Sequence, residues 1–186
     1  MYETSEFRRG LKIEINGEPF VIVEFQHVKP GKGNAFTRTK IKSLVTGNVL
    51  EPTFKSGDKV GRPDLEEKEM QYLYREGDAF HFMDNKTYEQ QALDLPQLQG
   101  NEIYMVENTL CKVLFHNAKP ITLEVPTFVE LVVAKTDPGL RGDTATGGTK
   151  PATMNTGAII AVPLFINEGE RIRVDTRTGL YMERVK

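Results

Sequence analysis

Apolar and polar residues alternate in short runs along most of the chain, and the runs stop at glycine, proline or asparagine. This period-two pattern, rich in β-branched and aromatic residues, predicts strands. Leu11-Lys12-Ile13-Glu14-Ile15 leads into Asn16-Gly17, the strongest short hairpin signal. Phe20-Val21-Ile22-Val23-Glu24-Phe25 and Phe36-Thr37-Arg38-Thr39-Lys40-Ile41 predict two further strands, and another pair is joined near Thr46-Gly47-Asn48. The polar stretch from Asp58 to Glu69, with Gly61 and Pro63, reads as a boundary. A second unit has short runs at 70–74, 80–83, 113–115 and 121–125, with turns at Glu76-Gly77-Asp78 and Asn117-Ala118-Lys119-Pro120 and a short helix around 101–109. Pro126 marks another boundary. Phe128-Val129-Glu130-Leu131-Val132-Val133 opens a third unit, which closes on a hairpin about Arg177-Thr178-Gly179. Regular short strands with turn residues between them favour small barrels over any parallel sheet.

One connection stands out for chemistry. Lys29-Pro30-Gly31-Lys32-Gly33-Asn34-Ala35 joins two predicted strands and sets one lysine between two glycines, just after a proline. Proline pre-sets a turn, and glycine admits backbone angles closed to other residues. Lys32 is therefore expected at the tip of a stiff ribbon, suited to reaching a phosphate, a narrow polar cavity or a modifying enzyme. An ordinary solvated loop lysine fits the same residues.

Charge adds a division to this picture. The chain of 186 residues has a net charge of −2, unevenly spread. Residues 1–63 carry 11 Lys/Arg against 7 Asp/Glu, residues 64–127 carry 5 against 12, and residues 128–186 carry 8 against 7. A basic first unit can meet RNA phosphates, which an acidic middle unit repels. A pI near 6.0 argues against a protein that coats nucleic acid, so contact is expected through selected faces. The single cysteine, Cys111, lies in an apolar run, which excludes a disulfide framework and predicts a buried, unreactive thiol. The charged first residues read as no signal peptide, and the longest apolar run, Ala158 to Ile166, is broken by Pro163 and too short to cross a bilayer. A cytoplasmic protein without membrane attachment is expected.

Catalytic constellations are hard to find. Gly142-Asp143-Thr144-Ala145-Thr146-Gly147-Gly148-Thr149 approaches phosphate-loop spacing, but Gly148 stands where that motif needs lysine, and no helix-forming segment follows. His27, His81 and His116 are scattered, without paired metal spacing, and read as strand or surface residues. The run of Asp64, Glu66, Glu67 and Glu69 reads as a solvated linker. The Gly- and Thr-rich stretch from Leu140 to Lys150 offers backbone N–H groups, hydroxyls and two cations, which suits close approach to a nucleic-acid backbone as well as a simple mobile loop.

Three blocks carry a family resemblance. They are Thr4-Ser5-Glu6-Phe7-Arg8-Arg9-Gly10, then Val28 to Phe36, then Lys150-Pro151-Ala152 with Gly157, Ile160, Val162-Pro163, Ile166 and Gly169. Together they resemble bacterial elongation factor P over nearly the whole chain. The resemblance implies an all-β fold of three small barrels, an SH3-like domain (1–64) followed by OB-like domains (65–127 and 128–186), in an L-shaped, tRNA-like arrangement. It implies a non-catalytic factor that enters a stalled ribosome between the peptidyl and exit tRNA sites and relieves arrest at consecutive prolines. Lys32 would steady the CCA end of the peptidyl-tRNA, a positioning contribution. Lys29, Pro30, Gly31 and Gly33 would support that lysine, and Gly142, Asp143 and Thr144 would meet exit-site mRNA. Arg38, Lys40 and Lys42 are candidate tRNA-backbone contacts from charge alone. No cofactor is implied beyond a covalent group on Lys32, added by a separate lysine-modifying enzyme. The resemblance leaves open whether that group is β-lysyl, of the aminopentanol type, or absent. A monomer is expected for a factor entering a ribosomal cleft.

Overall fold

The computed structural model describes residues 1–139 and 148–186, and these are almost entirely β-structure. The first seven strands are β1 (Tyr2–Glu3), β2 (Lys12–Ile15), β3 (Glu18–Val28), β4 (Phe36–Ser43), β5 (Val49–Leu50), β6 (Thr53–Lys55) and β7 (Lys59–Val60). Strands β2, β3, β4 and β5 follow one another in a sheet, β6 also pairs with β4, and β1 pairs with β7. Asn16 and Gly17, at φ 53° and 80°, form the two-residue turn between β2 and β3, where Ile15 faces Glu18. Phe7, Leu11, Ile13, Phe20, Ile22, Ile41 and Val60 make the core of this barrel.

The middle strands are β8 (Leu65–Glu76), β9 (Ala79–Asp84), β10 (Gln90–Asp94), β11 (Leu110–His116) and β12 (Lys119–Glu124), in the sheet order β10-β9-β8-β11-β12. The third set is β13 (Phe128–Thr136), β14 (Thr149–Met154), β15 (Ile159–Pro163), β16 (Arg171–Asp175) and β17 (Leu180–Val185), in the order β15-β14-β13-β16-β17. Its core holds Leu131, Val133, Met154, Ile160, Val162, Ile166, Ile172 and Val174, with Ile103, Tyr104 and Val106 packed against it. Two compact units result, residues 1–68 with 113–123 and residues 69–112 with 124–186.

Three local expectations change. The polar stretch 58–69 is not all connection, because β7 and the start of β8 lie within it. Leu65 and Lys68 are half-buried between exposed glutamates there, so charged residues occupy the solvent side of a strand. Between β10 and β11 helical structure comes as two 3₁₀ turns, Leu95–Leu98 and Asn101–Tyr104, rather than one helix over 101–109. Asp94 and Gln97 cap the first turn reciprocally, and Gln99 and Gly100, both left-handed, end it before a helix can propagate. Strand β10 has no counterpart in the pattern read from sequence, since Gln90-Gln91-Ala92-Leu93-Asp94 contributes only Leu93 as a fully buried apolar side chain.

Candidate functional site

The β3–β4 hairpin presents the lysine loop. Its last register pair is Val28 with Phe36, so residues 29–35 form the connection. Lys29, Gly31, Lys32, Gly33 and Asn34 are exposed, while Pro30 is half-buried. Gly33 has φ +105°, a conformation strained for any other residue, and a Cβ there would come within 3.9 Å of the Pro30 ring. The base of the loop is held by Ser56, whose N–H donates to the Ala35 carbonyl at 3.0 Å. Among the described residues no hydrogen bond or ion pair engages the Lys32 ammonium.

Alternation along β4 decides which cations face solvent. Thr37, Thr39, Ile41 and Ser43 are buried, so Phe36, Arg38, Lys40 and Lys42 share the outward face. Thr39 Oγ1 donates to the Pro52 carbonyl at 2.7 Å, and His27 Nδ1 lies 2.8 Å from Thr37 Oγ1, which fixes the inward side. The three cations therefore repeat about every 7 Å along one face of the ribbon. A β-bulge at Val23 shifts the register between Ile22 and Glu24. Beyond it Glu24 and Gln26 lie opposite Lys40 and Arg38 on the outward face, a change no strict period-two reading supplies. Arg9 Nε donates to the Val23 carbonyl at 2.9 Å, a side-chain contact at the bulge.

Side chains on this face are only lightly engaged. Lys40 lies 3.8 Å from Glu51, with both side chains well exposed, and the Arg38 guanidinium sits 5.4 Å from the Phe36 ring centroid. Glu24, Phe25, Gln26, Arg38, Thr39, Lys40 and Glu51 line an open polar groove of about 430 Å³. Lys55, opposite Phe36 on β6, adds an exposed cation at the base of the loop. Its place was hidden in the sequence because only strand pairing brings residue 55 beside residue 36.

Gly142, Asp143 and Thr144 lie outside the described residues. At the edge of that segment Lys150 is buried and donates from Nζ to the Asp137 carbonyl at 2.6 Å. A lysine tied to its own backbone is poorly placed for the phosphate role that a nucleotide-hydrolysing loop would need. The histidines are likewise separate. His27 touches Thr37, His81 stacks on Tyr74 at 4.5 Å, and His116 hydrogen-bonds Glu14. Cys111 is fully buried, and burial pushes its thiol up to about 12, as an inert core thiol requires. Among the described residues no group of three or more His, Cys, Asp or Glu side chains converges on a metal position.

A lysine-tipped ribbon on the first of three successive sets of β-strands defines a class by architecture, the chains built from several small β-barrels. Solved structures support the fold. Eukaryotic translation initiation factor 5A from Methanococcus jannaschii superposes with a TM-score of 0.55 at 23% identity, over 67% of this chain and 90% of that one. Three family models then match in order: the elongation factor P KOW-like domain over residues 3–60, the elongation factor P OB domain over 65–123, and the elongation factor P C-terminal domain over 129–184. Elongation factor P of Natranaerobius thermophilus is 54% identical over 186 residues, covering 100% of this chain and 99% of that protein. Elongation factor P of Bdellovibrio bacteriovorus is 54% identical over 185 residues, covering 100% and 98%. The chain belongs to the elongation factor P family and is a translation elongation factor.

Proposed function

We propose that this factor binds stalled ribosomes between the peptidyl and exit tRNA sites and promotes peptide-bond formation at consecutive prolines. One observation carries the reading: an exposed, unengaged Lys32 at the tip of a hairpin whose outward face bears Arg38, Lys40 and Lys42. The cations supply attraction for the peptidyl-tRNA backbone, which is strong, sequence-independent and salt-sensitive. The loop, stiffened by Pro30 and shaped by Gly33, holds the lysine against the CCA end and limits its motion. Catalysis then gains from orientation alone, because the ribosome supplies the reacting groups. No chemistry is asked of the factor itself.

The remaining assignments follow from the same reading. Lys32, reachable from solvent on all sides of a narrow loop, is the position for a lysine-modifying enzyme, and the added group lengthens its reach. Gly142, Asp143 and Thr144 are the contacts for exit-site mRNA. The factor works in the cytoplasm as a monomer. Among the described residues no helix is long and apolar enough to cross a membrane.

The test is ribosome position on a message encoding consecutive prolines, in purified translation, with no factor, wild type or Lys32→Ala. Wild type is expected to clear the stall and Lys32→Ala to lose about 10²-fold in rate, the size of effect seen when positioning is lost. Equal clearance by both proteins would remove Lys32 from the mechanism. No clearance by either would overturn the proline-stall reading.

A further inference from the structure

Glu14, Gly61, Asp64, His116 and Asn117 converge in the unit formed by residues 1–68 and 113–123. Glu14 and Gly61 exchange two backbone hydrogen bonds, at 2.9 and 3.0 Å, in an isolated antiparallel bridge. A Cβ on Gly61 would lie 3.1 Å from both the Cβ and the carbonyl oxygen of Glu14, so close approach of the two backbones requires glycine. The Glu14 carboxylate accepts a 2.8 Å hydrogen bond from His116 Nε2, joining residues 102 apart in sequence. His116 is only 8% exposed. Next to it, Asn117 donates its backbone N–H to the Asp64 carbonyl at 3.1 Å.

A tight two-residue turn delivers these groups. Asn117 and Ala118 have φ 49° and 63°, so β11 and β12 are joined by two consecutive left-handed residues, neither of them glycine. A two-residue hairpin favours positive φ at both central residues, and the alanine carries the cost of that turn. Each contact is polar and directional, and together they tie strand β2 and the connector 61–64 to the β11–β12 hairpin. Of these groups His116 is buried, Glu14 half-buried, and Asp64 and Asn117 exposed, so the penalty for a lost partner falls chiefly on the imidazole. They therefore select one geometry.

We propose that Glu14 and His116 form a polar joint that holds the lysine-bearing barrel to the β11–β12 hairpin, making both positioning residues for Lys32. This rests on the stalled-ribosome reading above. A loop that must orient a tRNA end gains nothing from a stiff tip if the barrel behind it pivots. Loss of the joint leaves the barrel folded, because its core of Phe7, Ile13, Phe20, Ile22 and Ile41 does not depend on His116.

The experiment compares wild type with Glu14→Ala, Glu14→Gln and His116→Leu by two readouts. Amide ¹⁵N relaxation reports whether the barrel and the β11–β12 hairpin tumble as one body. Stall clearance at consecutive prolines, measured over a range of factor concentration, separates the maximal rate from the half-saturating concentration. For Glu14→Ala and His116→Leu we expect separate tumbling and a maximal rate lower by about tenfold, in the range typical of misplaced positioning groups. Glu14→Gln, which keeps an acceptor for the imidazole, is expected to match wild type in both. A folded Glu14→Ala or His116→Leu protein that tumbles as one body and clears the stall at the wild-type rate overturns the joint. If one of the two fails to fold, the other decides, since they alter different elements. Failure of wild type to clear any stall would overturn the proposed function while the relaxation data still judged the joint.

Discussion

Two strands in this molecule carry cations at every second residue, and the structure puts them to different uses. On β4, Arg38, Lys40 and Lys42 face outward opposite Gln26, Glu24 and Val21. On β16, Arg171 and Arg173 face outward too, but between acids on both flanking strands. Glu130 of β13 lies 3.6 Å from Arg171 and 3.7 Å from Arg173, and Glu183 of β17 hydrogen-bonds Arg173. The first ribbon keeps most of its charge for a partner. The second spends it on a cross-strand ladder, where each exposed pair adds roughly 0.2–1 kcal/mol of stability. Spacing along one strand makes a row of charge, and only the neighbouring strands decide whether that row is available.

The sharpest way to break this comparison is to reverse charge on the first ribbon. Arg38→Glu with Lys42→Glu should weaken binding to ribosomes carrying peptidyl-tRNA by about 10²-fold at physiological salt, and lower the slope of log affinity against log salt by about 2. Equilibrium binding between roughly 50 and 200 mM salt measures both. An unchanged slope would mean these cations meet no phosphate.

Freeing the second ribbon asks the converse question. Glu130→Gln with Glu183→Gln should raise non-specific RNA affinity and steepen its salt slope by about 1–2, as Arg171 and Arg173 become available. Thermal stability should fall by no more than about 1–2 kcal/mol for the lost pairs. If RNA affinity stays flat, pairing is not what separates the two faces.

A smaller effect concerns the end of β16. The Arg177 side chain donates to both carboxylate oxygens of Asp175, at 3.2 and 2.9 Å, and holds that carboxyl below its ordinary value of 3.8. A lowered folded value means the contribution to stability is full above 3.8 and is lost as pH falls below it. Asp175→Asn should therefore be less stable than wild type near neutrality, and the gap should close in acid. Denaturant unfolding at neutral pH and at acid pH measures it, and a gap that persists in acid would assign the loss to packing.

Much of this was legible from residue order. The hairpin at Asn16-Gly17, the loop around Lys32, the inert Cys111 and the closing hairpin at 177–179 depend on local turn chemistry and burial preference, which a short window contains. Strand β10 and the paired 3₁₀ turns were not legible, because one buried leucine and a reciprocal cap carry little periodic signal. The Val23 bulge also escaped, since an inserted residue leaves an unbroken apolar run while turning every later side chain to the other face.

Sequence alone determined the β character of the chain, the order of its units, the glycine-flanked lysine and the family blocks around it. Each is local, written in consecutive residues and their alternation. Tertiary structure decided which cations are open and which are paired, that Lys55 stands beside Phe36, and that Glu14 meets His116. Those outcomes depend on register between strands and on contacts across tens of residues, where a shift by one position would change every neighbour.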